Sequence, residues 1–183
     1  MIFDVYSALK INRSASGGPL RPPKSKINSY LYARSTNRYD MVRYYNDDTN
    51  YRLPQKRLTA RWLAEVAAAE GYALGDVSYI FCSARRLLEM NRQFLGHDYF
   101  TDVITFDYSD RRGTKIVAGD IFIDVETVAD NARQYGATTL EEMRRVVVHG
   151  VLHLCGQKDK TPRTEAQMHR KEDKYLRFWN ETR

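Results

Sequence analysis

His149 and His153 stand four residues apart, and no other pair in the 183-residue chain is so well spaced for chemistry. On a helix, side chains at i and i+4 share a face, so two neutral imidazoles can each give a nitrogen to one divalent ion, about 2.0 to 2.1 Å away. The surrounding residues 138–160 read TTLEEMRRVVVHGVLHLCGQKDK. They open with two overlapping capping boxes, Thr138 with Glu141 and Thr139 with Glu142, and Gly156 supplies a stop, so the segment is a helix. Its apolar residues Met143, Val146, Val147, Val148, Val151, Leu152, Leu154 and Cys155 occupy nearly the whole circumference, which predicts a buried helix. One polar line remains, formed by Glu141, Arg145, His149 and His153, with successive members about 40° apart. Imidazoles buried in an apolar helix are costly unless their nitrogens find partners, and one metal satisfies both.

A metalloprotease helix carries Glu directly after its first histidine ligand, as general base; here that position is Gly150. The peptidase reading therefore lacks its base, while metal-assisted hydrolysis of other substrates stays open. A catalytic metal needs a third protein ligand and an open position. The turn after Gly156 can fold back and bring Asp159 beside the histidines; alternatively Asp159 is a turn residue or the partner of Lys158 or Lys160.

The elements that must position this helix are legible in the pattern. Strands are predicted over 42–45, 77–82, 102–108 and 116–124, and helices over 59–70, 84–94, 125–135, 140–155 and 162–179. Strands mixed with helices without strict alternation indicate an α+β fold: a small mixed central sheet of about four strands covered by helices, with the metal site on a buried central helix and the turn after it. One domain of ordinary size accounts for the length.

Composition excludes several classes. Two cysteines, Cys82 and Cys155, cannot build a disulfide framework or a four-cysteine zinc site, and both fall in apolar surroundings that suit core positions. No apolar run approaches a membrane span and the first thirty residues lack a secretory signal, so a cytoplasmic protein is expected. The net charge of +6 is unevenly placed: residues 1–40 hold seven Lys or Arg against Asp4 and Asp40, while the other 143 hold 22 basic and 21 acidic side chains. Residues 1–40 are also rich in Ser, Gly and Pro without apolar period, and are expected to be a disordered basic extension. An RNA-touching arm, a targeting peptide and a start assigned upstream of Met41 are the three readings of it, the last favoured because Met41 directly precedes the first strand pattern. The folded domain is then 41–183.

Residues 149–156, HGVLHLCG, resemble the H-G-x-L-H-L-x-G signature of the YbeY family of bacterial metal-dependent endoribonucleases. Met90-Asn91 through Asp98 and Thr101-Asp102-Val103-Ile104-Thr105-Phe106 resemble the family's L-N-x-x-Y-R-x-x-D-x-P-T-D-V-L-S-F, and Gly119-Asp120-Ile121 resembles its G-D-I strand. The resemblance implies a zinc-dependent endoribonuclease acting on single-stranded RNA in 16S ribosomal RNA 3' end maturation and ribosome quality control, with the small ribosomal subunit and assembly proteins as partners. It also implies that Asp159, where the family usually has a third histidine, completes a ligand set with His149 and His153. Departures fall at Leu95, where the family has Arg, at Phe100 in place of Pro, and at Gln157 in place of an aromatic residue.

The metal would lower the pKa of a bound water to about 7 and polarise the scissile phosphate. No side chain is marked out as a separate general base. Arg145, Lys158 and Lys160 are the candidate substrate contacts; each could instead pair with carboxylates such as Glu141. His97 and His169 read as ordinary surface histidines. Two rivals remain: a ribosome-assembly factor that binds RNA around a structural metal, and a metal-dependent hydrolase of another substrate. A chain beginning at Met41 is expected to fold and bind metal as the full chain does; melting temperature and metal stoichiometry of the two forms check this.

Overall fold

The structure, a computed structural model, describes residues 8–10 and 41–181. Five strands, β1 (Ala8–Lys10), β2 (Val42–Asn46), β3 (Ala73–Cys82), β4 (Val103–Asp107) and β5 (Ile116–Asp124), form one sheet in the order β1-β4-β5-β3-β2. Only β4 and β5 pair antiparallel; the other neighbours run parallel, so the sheet is mixed as expected. Most of the expected disordered extension lies outside the described residues. Ala8–Lys10, which belong to it, run beside Thr105–Asp107, so comparing the full chain with one starting at Met41 also reads what this edge pairing contributes.

Five α-helices join the strands: α1 (Lys56–Ala69), α2 (Ala84–Met90), α3 (Val125–Tyr135), α4 (Thr139–Leu154) and α5 (Pro162–Glu181). β5 shows why the sheet is covered on both faces. Val117, Ile121 and Ile123 are fully buried on the side of α1 and α4, while Phe122, between them, packs on a second apolar cluster with Cys82, Leu87, Met90, Ile104 and Phe106 beneath α2. A π-type turn, Asn91–Leu95, continues α2 where a helix through residue 94 was expected. Asn91 is buried and its side-chain amide donates to the Tyr99 carbonyl at 2.8 Å, tying this turn to the approach to β4. β3 starts four residues before its expected limit. Leu74 already pairs with Val117, and the register shifts before Val77 pairs with Gly119, an irregularity that hides the two-residue period.

α4 is the central helix, and its entire apolar circumference is used. Met143, Val147, Val148, Val151, Leu152 and Leu154 are all fully buried. Around it, α1 and α5 are locked together by Trp62, whose indole N–H donates to the Tyr175 carbonyl at 3.1 Å and whose ring meets Trp179 edge-on at 5.2 Å. The helix also lies very close to the sheet: a Cβ at Gly150 would sit 2.8 Å from Ile121 Cγ2 and 2.9 Å from its Cδ1. Position 150 therefore points at β5. Any side chain at this position must displace Ile121, so the close packing of α4 on β5 leaves no ready room for a metalloprotease-type glutamate here.

Gly150→Ala gains helix propensity of about 1 kcal/mol but overpacks the Ile121 contact at about 1 to 3 kcal/mol, so a modest net loss of stability is expected. Gly150→Val should lose more and lower metal affinity by moving both histidines off the sheet. Denaturant melts of the three proteins check the order.

Candidate metal centre

The two histidines are fixed at both ends of α4. Thr138 caps the N-terminus, its hydroxyl accepting from Glu141 N–H at 3.2 Å while the Glu141 carboxylate accepts from Thr138 N–H at 2.9 Å. Of the two overlapping capping boxes, this is the one that forms. In mid-helix the buried Tyr79 hydroxyl donates to the Val147 carbonyl at 2.7 Å, pinning α4 to β3. At the C-terminal end Arg111 donates to the Leu154 carbonyl at 2.8 Å and is held by the buried Asp107 carboxylate. This guanidinium supplies a partner for a terminal carbonyl that the helix itself cannot satisfy. Gly156 then adopts φ +92°, a conformation open to glycine and strained for other residues, and reverses the chain so that Asp159 comes back under the helix end.

His149, His153 and Asp159 converge. All three are about 5% exposed or less, and their ligand atoms lie within 4.8 Å of one another. His149 Nε2 is 2.7 Å from His153 Nε2, and Asp159 Oδ2 is 3.3 Å from His153 Nε2 and 3.7 Å from His149 Nε2. The outer nitrogens fix the tautomers. His153 Nδ1 lies 2.9 Å from the Gln157 carbonyl, which can only accept, so Nδ1 carries the proton. His149 Nδ1 lies 2.5 Å from Glu172 Oε1. Burial raises the Glu172 pKa, but hydrogen bonds from His149 and His169 outweigh it and hold the carboxyl well below the usual range, so it is ionised and accepts. Burial also pushes the His149 imidazole down to about 4, against the pull of Glu172, so the ring is neutral at pH 7.

Both Nε2 atoms thus present lone pairs to each other and to a carboxylate oxygen. Asp159 Oδ2 is buried with no hydrogen-bond donor. Three acceptors buried around one point repel unless a cation sits among them, so the donor set fits a divalent metal, with one carboxylate and two imidazoles as acceptable zinc ligands.

The family model described as Endoribonuclease YbeY matches residues 43–180. The chain belongs to the YbeY family. Its curated relatives include the Endoribonuclease YbeY of Bacteroides thetaiotaomicron, 48% identical over 122 residues that cover 67% of this chain and 87% of the relative. That of Cytophaga hutchinsonii is 44% identical over 137 residues, 75% of this chain and 94% of the relative. Among solved structures, a Thermotoga maritima protein solved in solution superposes with a TM-score of 0.51 at 30% identity, covering 74% of this chain and 86% of that one.

Within this YbeY frame, the three residues expected as ligands are brought together, and the fold adds groups that the spacing argument did not single out. Glu172 is the principal one. It lies on the buried line of α5 with Met168, Tyr175 and Trp179, at 1% exposure. A lone acid on a core stripe was the available signal, because a buried charge demands partners. Those partners are His149, His169 Nδ1 at 3.1 Å and Arg145 at 3.1 Å. His169, read as an ordinary surface histidine, therefore supports the centre from behind. Arg145 is also 2.8 Å from Asp173, so its guanidinium faces the α5 acids. Lys158 and Lys160 are exposed on either side of buried Asp159. Leu95, at the family's arginine position, packs against the second apolar cluster and adds cover. His97 stacks on Tyr99, and both cysteines are buried.

Partners that orient a metal-binding imidazole typically contribute 10- to 100-fold in metal affinity. Glu172→Ala should lower affinity by about that factor, and Glu172→Gln, which keeps an acceptor oxygen but loses the charge, by less. Competition with a chelator measures both.

Proposed function

We propose that the protein is a zinc-dependent endoribonuclease that cleaves single-stranded RNA, acting on ribosomal RNA in 3' end maturation of the 16S species and in ribosome quality control. The observation that carries the reading is the convergence of two imidazole lone pairs and an unpartnered buried carboxylate oxygen in a chain of the YbeY family. A divalent ion held by His149, His153 and Asp159 supplies Lewis-acid charge at the scissile phosphodiester and lowers the pKa of water at the site.

The chain's own groups do the rest. Glu172 and the Gln157 carbonyl hold the two rings in the tautomer that presents Nε2 inward. Lys158 and Lys160, exposed beside the third ligand, draw the phosphodiester to the turn; Arg145, tied to Glu172 and Asp173, acts by keeping Glu172 in place. Gly150 faces the sheet, which disfavours peptide hydrolysis. The small ribosomal subunit and its assembly proteins are the partners in this reading, in the cytoplasm. No described helix is long and apolar enough to cross a membrane.

A carboxylate in place of the family's third imidazole reduces the charge of the loaded centre from +2 to +1, so the ion is a weaker Lewis acid and selectivity relaxes toward harder metals such as manganese. His149→Ala, His153→Ala and Asp159→Ala should each lose bound metal and RNA cleavage. Asp159→Asn should behave like the alanine variant, because a neutral amide is a poor zinc ligand, whereas Asp159→His should keep both metal and activity. Metal stoichiometry beside cleavage rate on single-stranded and duplex RNA checks the set. Full occupancy and activity in Asp159→Ala would place the third ligand elsewhere.

A further inference from the structure

The charges of α5 are unevenly placed around its axis. On the side facing α4 three of its acids are paired: Glu165 lies 3.8 Å from His169, Glu172 binds His149, His169 and Arg145, and Asp173 binds Arg145. On the outer side, Arg163, Arg170, Lys174 and Arg177 are all exposed and fall within an arc of about 60°, with one acid, exposed Glu181, at the C-terminal end of the same arc. They extend over about 21 Å of helix. Among the described residues the three arginines make no ion pair, and Lys174 lies over the Tyr175 ring at 5.0 Å. Lys171, at the edge of the stripe, is paired with Glu70.

The stripe borders an open groove of about 480 Å³ lined by Gln157, Gln167, Arg170, Lys171 and Lys174, with no acidic side chain among its lining residues. Gln157 joins this groove to the metal centre, because its carbonyl accepts from His153 Nδ1, and α5 begins three residues after Asp159. Lys158 and Lys160 on that turn continue the positive surface to the third ligand. A cationic groove that tracks a strand, with amides as hydrogen-bond donors, is the chemistry of sequence-independent binding to single-stranded backbone.

We propose that the outer face of α5, from Arg163 to Arg177 with the Gln157 groove, is a second RNA-binding site that holds backbone phosphates of single-stranded RNA outside the cleavage point. The proposal rests on the endoribonuclease reading and gives its substrate a path: the strand leaves the metal turn at Lys158 and Lys160 and follows the helix. An acidic protein could also seat on a basic helix, but the amides of Gln157 and Gln167 and the shared residue at the metal centre favour a nucleic-acid backbone.

The test uses the full chain and two probes, a labelled 20-nucleotide single-stranded RNA, which can span metal turn and helix, and a tetranucleotide, which can occupy only the turn. In Arg170→Ala/Lys174→Ala, the KM for the 20-mer should rise about tenfold or more, with the tetranucleotide KM, the kcat and the metal stoichiometry near those of the unsubstituted chain. The salt dependence of binding, read by anisotropy with a 2'-O-methyl 20-mer, should fall by about 1.4 in slope if two phosphates are released. Arg170→Glu/Lys174→Glu should lose more. An unchanged slope and KM overturn the proposal, as does loss of association with a ribosomal protein alone. If the unsubstituted chain cleaves neither RNA, the endoribonuclease reading fails, and the anisotropy slope still decides the α5 site.

Discussion

Three electron pairs directed at one point among buried side chains repel one another unless a positive charge lies between them. His149 Nε2, His153 Nε2 and Asp159 Oδ2 are in that position. Both imidazoles have their protons committed outward, to Glu172 and to the Gln157 carbonyl, and the Asp159 oxygen has no donor. In water these acceptors would be hydrated separately. Here burial limits their hydration, so a cation that binds among them offsets the cost of bringing them together and stabilises the folded chain.

That coupling explains why a helix bearing two ligands is also the most buried helix of the fold. α4 lies against the sheet at Gly150 and Ile121, is pinned to β3 by Tyr79 and is closed at its end by Arg111 on Asp107. A ligand pair on a rigid, close-packed element holds its separation, and the remaining freedom is left to the short turn that carries Asp159. The close approach at position 150 also means that a side chain after His149 would have to displace Ile121.

Much of this was legible in the residues. The helix of residues 138–155, its cap, its burial and the shared face of His149 and His153 follow from local rules of spacing and capping, and the mixed α+β sheet from periodicity. Asp159 could be placed beside the histidines only through resemblance, because a turn after glycine can close in several ways. Glu172, Arg111 and Asp107 were hidden for a different reason. Glu172 reaches His149 across 23 residues and Arg111 reaches the Leu154 carbonyl across 43, with Asp107 acting through Arg111, and no local pattern encodes which distant group will meet a given imidazole or helix end. The one local trace was Glu172 itself, an acid on the apolar line of α5. The early start of β3 was obscured by the shift of register between Leu74 and Val77.

The carboxylate at position 159 also has consequences for the charges around it. Glu172 places a second negative charge directly behind His149, so two carboxylates flank the histidine pair, Asp159 beside the Nε2 atoms and Glu172 at Nδ1. Left alone they would lower the positive potential that a phosphodiester must meet. Arg145 and His169 on Glu172 offset the inner charge, and exposed Lys158 and Lys160 offset the ligand charge on the turn. Arg145 and His169 are themselves partly exposed, and Lys158 and Lys160 are fully at the surface, so all four act where salt reaches and their attraction decays within about 10 Å at 0.1 M salt. The centre therefore has two differently charged flanks: partly exposed Arg145 and His169 meet the buried Glu172 carboxylate behind His149, and exposed Lys158 and Lys160 lie beside Asp159 at the surface.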